Sequence, residues 1–190
     1  MIFRPCFPTV RFIVVFQNTK NIEIILHEDG SISIQDDGRG IPVDIHPKAK
    51  IPTLRVIYTV LHAGGKFKEG AYQISGGLHG VGASVVNALS EYLEVETYHN
   101  GKVYYDKYKK GKPVISLDKN GNLKVLNKTN IPSGTKISFK PDSTIFETTE
   151  FKHDVIYEHL KQTCYLNNQI TIAPAHLCSK ELDDPALRLS

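Results

Sequence analysis

Hydrophobic and polar positions change period several times along this chain. Val10 to Phe16 is dense in β-branched and aromatic residues and predicts a strand, while Pro5 and Pro8 exclude a regular helix ahead of it. Ile22, Ile24 and Leu26 then alternate with Glu23, Ile25 and His27. Asp29-Gly30 makes a turn, and Ile32 and Ile34 resume the period of two, so a β-hairpin is predicted. Residues 36–50, punctuated by Gly38, Gly40, Pro42 and Pro47, read as a loop. Leu54, Ile57, Tyr58 and Leu61 take helical spacing and predict a helix over 53–61, and Val85, Val86 and Leu89 predict a second over 81–92. Strands are predicted at 93–98 and 102–108 around Asn100-Gly101, at 122–126 after Asn120-Gly121, and at 135–140 after Ser133-Gly134. A third helix spans 151–165, with Val155, Ile156, His159, Leu160 and Cys164 on one side, and a last strand spans 168–172. Strands joined mostly by hairpins and interleaved with helices predict an α+β fold, its antiparallel or mixed sheet covered on one face.

Composition narrows the function classes. The 190 residues are 41% hydrophobic and 23% charged, an ordinary globular balance that can bury a core. The net charge of +3 is too mild to name a nucleic-acid binder by itself. The run Lys107, Lys109, Lys110 and Lys112 reads as a solvated hairpin. Cys6, Cys164 and Cys178 are odd in number and contain no CxxC, which argues for reduced thiols and against a zinc ribbon. No apolar run reaches membrane-helix length, and the start lacks the pattern of a signal peptide, so a cytoplasmic location is expected.

Three clusters carry chemistry. Asp36-Asp37-Gly38-Arg39-Gly40-Ile41-Pro42 follows a predicted strand. A carboxylate at a strand end can accept from an exocyclic amine such as that of adenine, and glycines leave room for a flat base; an acidic turn with a proline stop is the plainer alternative. Leu61-His62-Ala63-Gly64-Gly65-Lys66-Phe67 offers a lysine on a glycine hinge, suited to a phosphate, or a surface lysine after a helix cap. Ser75-Gly76-Gly77-Leu78-His79-Gly80-Val81-Gly82 runs directly into a helix, where backbone N–H groups and the helix start favour an anion. It lacks the Lys-Ser/Thr of a Walker A loop and the third glycine of a dinucleotide-binding loop. His79 has no partner of metal-ligand spacing, and no Ser-His-Asp order or catalytic carboxylate pair is present, so no catalytic or metal-ligating residue is identified.

These three clusters, in this order and continuing through Ala83-Ser84-Val85-Val86-Asn87-Ala88-Leu89, resemble the ATPase domain of bacterial DNA gyrase B subunits, with the topoisomerase IV counterpart close behind. That superfamily includes a heat-shock chaperone, histidine kinases and a mismatch-repair protein. The resemblance implies a two-layer α/β sandwich of the Bergerat type, and a role as the ATP-binding part of an ATP-dependent type II DNA topoisomerase. It implies that Asp36 bonds the adenine amine and that Gly40, Ile41 and Pro42 line the adenine pocket, with Arg39 flanking it. Thr135 joins the adenine-side water network. Lys66 contacts the phosphates, and Leu78, His79, Gly80, Val81 and Gly82 form the phosphate loop. ATP and Mg2+ are the implied cofactors. DNA, the gyrase A subunit, a second copy of this chain and aminocoumarin-type inhibitors are the implied partners.

The resemblance covers 21–172 and leaves 1–20 and 173–190 as non-matching segments. Its general-base glutamate and magnesium-binding asparagine belong on a helix just before Ile22, yet residues 1–20 hold no acidic residue. A truncated or frameshifted fragment with little hydrolysis is therefore expected. The alternatives are a topoisomerase IV B-type subunit and a non-catalytic ATP-binding fragment.

Overall fold

The computed structural model describes residues 10–16, 20–61, 81–166 and 170–174. Among the described residues, nine strands form one antiparallel sheet: β1 (Val10–Phe16), β2 (Lys20–Leu26), β3 (Ile32–Asp36), β4 (Ser90–His99), β5 (Lys102–Lys109), β6 (Lys112–Pro113), β7 (Lys124–Lys128), β8 (Gly134–Pro141) and β9 (Ile170–Pro174). Their spatial order is β6-β5-β4-β8-β3-β2-β1-β9, with β7 also paired to β5. The first strand lies between β2 and β9, from Val10 opposite Leu26 to Phe16 opposite both Lys20 and Ile170.

Register puts the apolar positions on one face. Phe139 stands opposite Ile32 on one side and Leu93 on the other, and Ile137 likewise opposes Ile34 and Val95. Over this face lie helices α1 (Thr53–Thr59), α2 (Gly82–Ala88) and α3 (His153–Leu166). Leu54 and Tyr58 of α1 bury against Leu93, Val95 and Tyr108, with Ala83 and Val86 of α2 packed alongside. Ile156, Tyr157 and Leu160 of α3, with Phe151, cover Ile24, Leu26 and Ile32. The opposite face carries polar side chains, among them a Glu94–Lys107 ion pair at 2.6 Å. One sheet with helices on one face is the expected α+β architecture.

The elements differ from the predicted ones in instructive places. The first helix stops at Thr59 because Val60 is already extended (φ −117, ψ 124), which leaves Leu61 outside the stripe and 62% exposed. The second ends at Ala88, not Tyr92, since Ser90 already pairs with Pro141 and Tyr92 with Lys109. Sheet pairing outweighs the helical periodicity there, and the Ser90 hydroxyl closes the helix by donating to the Val86 carbonyl at 2.6 Å. The strand predicted at 122–126 begins at Lys124, because the Asp118 carboxylate holds the N–H groups of Asn120 and Asn122 in a turn. Val155 is 63% exposed: Ile156 and Leu160, four apart, aim at the sheet, and Val155 and His159 fall outside that face. The side chain of Cys164 lies outside the described ones.

Two polar networks hold the helices and turns. Arg55 of α1 donates from Nε and Nη2 to the two oxygens of Asp106 at 2.9 and 2.7 Å, and from Nη2 to the Ile115 carbonyl at 2.8 Å. Tyr108 donates to the same carboxylate at 2.7 Å. Burial and the Asp106 charge push the Tyr108 hydroxyl well above its ordinary range. Asp142 accepts from Lys110 at 2.8 Å and from the backbone and hydroxyl of Thr144, and these bonds lower its carboxyl to about 2.

Removing one partner of a buried, forked ion pair leaves an unpaired charge, so Asp106→Ala is expected to cost about 3–5 kcal/mol in urea unfolding. Asp142 acts through pH. Its folded value lies below the unfolded one, so its contribution is present above about pH 4 and lost as pH falls through about 2. Asp142→Asn should therefore flatten the fall of the urea midpoint between pH 4 and 2, and an unchanged profile would refute this assignment.

Candidate functional site

The residues around Asp36 owe their placement to the tight packing of β3, β8 and β4. Asp36 ends β3, opposite Thr135 on one neighbour and Ile22 on the other. Its side chain belongs to the helix-covered face, in series with Ile32 and Ile34. There it is half-buried and near Tyr58, whose hydroxyl is raised above its usual range first by burial and then by the Asp36 charge. One Asp36 oxygen accepts the Gly38 N–H at 2.7 Å, starting the turn into the loop. Asp37 faces elsewhere and accepts from the Asn21 backbone and side chain at 2.7 and 3.0 Å.

Two glycines permit this geometry. At Gly134 (φ +144) a Cβ would collide with the Asp36 carbonyl. At Gly40 (φ +75) a Cβ would stand 2.9 Å from Thr97 Oγ1 and 3.0 Å from the Gly134 and Tyr98 carbonyls. Both backbones need the left-handed region and close contact, which no other residue supplies without strain.

Thr97 ties the arrangement together. Its buried hydroxyl accepts the Ile41 N–H at 2.9 Å and lies 3.2 Å from the Ile41 carbonyl and 3.4 Å from the Gly134 carbonyl, to either of which it can donate. It also stands opposite Thr135 in the sheet. Sequence reasoning missed Thr97, which looks like one more inward position after Leu93 and Val95. A hydroxyl on an otherwise apolar stripe was the available sign.

Asn87 was likewise missed. It is 1% exposed on α2, and its Nδ2 donates to the Tyr58 carbonyl at 2.9 Å and to the Gly111 carbonyl at 3.2 Å. Its Oδ1 has no partner among the described residues. This joins α1 to α2, the elements on either side of residues 62–80.

The structure thus brings Asp36, Gly40, Ile41 and Thr135 together. Arg39 and Pro42 lie exposed on the same loop, while Ile41 packs against the core beneath α1. Val81 and Gly82 begin α2, and a Cβ at Gly82 would meet nothing within 4 Å. Lys66, Leu78, His79 and Gly80 lie outside the described residues. Among the described residues no three His, Cys, Asp or Glu side chains gather to hold a metal ion. No described helix is long and apolar enough to cross a membrane.

A half-buried acceptor at a strand end, backed by a glycine-permitted loop, suits recognition of an exocyclic amine. The profile of the histidine kinase-, DNA gyrase B- and HSP90-like ATPases matches residues 10–145. The chain belongs to this family. Its α+β fold is the family's fold. It is 50% identical over 151 residues to the type 2 topoisomerase B subunit of Aquifex aeolicus, covering 80% of this chain and 18% of that protein. It is 51% identical over 145 residues to the DNA gyrase B subunit of Thermotoga maritima, covering 76% and 22%. To the DNA topoisomerase 4 B subunit of Staphylococcus aureus it is 51% identical over 153 residues, covering 80% and 22%. The crystal structure of the 43K ATPase domain of Thermus thermophilus gyrase B, in complex with an aminocoumarin, superposes with a TM-score of 0.59 at 37% identity, covering 74% of this chain and 33% of that one. The chain therefore spans about a fifth of the length of these topoisomerase subunits.

Thr97→Val keeps the shape but orphans the Ile41 N–H, which is expected to cost about 1–3 kcal/mol in urea unfolding. It should also speed hydrogen exchange at the Ile41 amide, while Thr97→Ser should restore both. Unaltered exchange in the valine variant would show that the hydroxyl does not hold the loop.

Proposed function

We propose that this chain is the ATP-binding part of the B-type subunit of an ATP-dependent type II DNA topoisomerase, with the nucleotide-binding unit spanning 21–172. The observation that carries the reading is Asp36, held half-buried opposite Thr135 on a backbone that only glycine at 134 permits. Asp36 accepts from the adenine N6 amine, and Thr135 orders the water beside it. A base without that amine would leave the carboxylate facing another acceptor, and this selects adenine. Gly40, Ile41 and Pro42 line the base pocket, and Arg39 flanks it. Lys66 reaches the phosphates, and Leu78, His79, Gly80, Val81 and Gly82 present backbone N–H groups to them ahead of α2.

The similarity of about 50% to subunits named for gyrase, topoisomerase 4 and type 2 topoisomerase supports the class. A topoisomerase IV B-type subunit is the second reading, supported by the 51% identity to the Staphylococcus aureus topoisomerase 4 B subunit. In the whole enzyme, ATP would drive strand passage, with DNA, a gyrase A-type subunit and a second copy as partners. The aminocoumarin complex of the Thermus thermophilus domain supports binding of such inhibitors, and the resemblance puts Arg39 beside them.

Hydrolysis is a separate matter. Residues 1–20 contain no Asp or Glu, so the general base that the resemblance places there has no counterpart. Loss of a general base costs about 10²–10⁴-fold in rate.

Calorimetry with a non-hydrolysable ATP analogue is expected to show binding that Asp36→Asn weakens by about tenfold or more, in keeping with a lost hydrogen bond to a charged group. Single-turnover ATP hydrolysis should stay near background. Analogue binding indifferent to Asp36→Asn would sink the adenine assignment, and hydrolysis at the rate of a complete family member would sink the argument from the missing base.

A further inference from the structure

Between α2, β8 and the loop that follows β8 lies a cavity of about 280 Å³. Phenylalanines from three places line it: Phe139 on β8, Phe146 in the loop, and Phe151 just ahead of α3. Val86 of α2 and Leu89 just past it add to a wall that is mostly carbon. Hydrogen bonds fix these walls. The Asp142 N–H donates to the Leu89 carbonyl at 3.0 Å, and the Asp142 carbonyl accepts from Ile145 and Phe146 at 3.0 and 3.1 Å. The Phe139 and Phe151 rings meet edge to face, with centroids 6.2 Å apart and planes at 82°.

Size and charge together define what suits the space. An apolar cavity of about 150 Å³ holds benzene, so one nearly twice as large suits two fused rings or one ring with a short chain. Phe146 remains 39% exposed although hydrogen bonds hold its backbone in the turn. A ring beside it would supply the dispersion contacts its open side lacks, and edge or offset contacts with phenylalanine favour an aromatic occupant over an alkyl chain. Among the described lining residues Glu150 is the only charged one. It is exposed and forms no ion pair with a described cation. A carboxylate on the occupant would be repelled there, and an ammonium attracted.

We propose that this cavity is a second small-molecule site, for an aromatic amine whose rings fill the phenylalanine-lined space and whose ammonium faces Glu150. None of the residues that line it belongs to the site around Asp36. Its chemistry is also opposite in sign to that of a nucleotide: a cation on an apolar ring, where a nucleotide brings polyanionic phosphates. The site therefore stands independently of the ATP reading.

Tryptamine is the probe. The chain contains no tryptophan, so the anisotropy of the probe's own indole fluorescence reports its binding as the full chain is titrated in, without nucleotide. A Kd of about 0.1–1 mM is expected for a ligand of about twelve non-hydrogen atoms. Indole-3-propionate, the same ring with the opposite charge, should bind at least about fivefold more weakly. E150Q should weaken tryptamine about three- to fivefold and leave the neutral 3-methylindole within about twofold. F146L, which keeps the apolar character but removes the ring, should weaken both probes about three- to tenfold. Urea midpoints equal to the parent would show that these variants fold. Asp36→Asn should leave tryptamine affinity unchanged. The proposal is overturned by no saturable tryptamine binding up to about 5 mM, by equal affinity for the propionate, or by unaltered tryptamine affinity in E150Q or F146L. Loss of tryptamine binding in Asp36→Asn would place the probe at the other site and overturn it as well. With no nucleotide present, failure here is separable from failure of the ATP reading, which the calorimetry measures alone.

Discussion

The approach of β8 to the end of β3 is the constraint on which the candidate site depends. At Gly134 the two backbones come so close that a methyl group would strike the Asp36 carbonyl. That contact brings Thr135 opposite Asp36 and lets the Gly40 turn lie against Thr97 and Tyr98. The candidate site is therefore built from main chain as much as from side chains. Its framework is the part of the sheet where β3, β8 and β4 run side by side, against which the Gly40 loop is fixed by Thr97.

The helix layer is joined to this platform by buried polar bonds as well as by apolar packing. Arg55 reaches from α1 to Asp106 on β5, and Asn87 reaches from α2 to the end of α1 and the Gly111 turn. Directional bonds discriminate between rotations of a helix that apolar contacts alone would tolerate. The same bonds fix α1 and α2, which flank residues 62–80 in the sequence.

Most of the fold was legible because its cues are local. The alternation from Ile22 to Ile34 and the Asn100-Gly101 turn, with φ of 50 and 68, each specify an element without help from distant residues. The errors fall where distant pairing decides. Ser90 to Tyr92 continue a helical pattern but are claimed by β8 and β5, and Lys112–Pro113 has too little pattern to announce a strand. The site was half legible. Asp36 and the glycines are visible as a motif, but Thr97 comes from a strand 56 residues beyond Ile41 and is recognisable only once the sheet sets it behind the loop. The base end could be compared with its motif in this way, whereas Lys66, Leu78, His79 and Gly80 lie beyond the described residues.

Charge and geometry work at different ranges in this molecule. The hydrogen bonds around Asp36 are about 3 Å long and lie in partly desolvated surroundings, where salt screens little. The exposed lysines of β5, β6 and β7 lie past β4 from β8, and a Debye length of about 10 Å at 0.1 M salt progressively screens their charges. A net charge of +3 averages over both and describes neither. The composition looks ordinary because the lysines of 101–128 are offset by acidic residues elsewhere in the sequence.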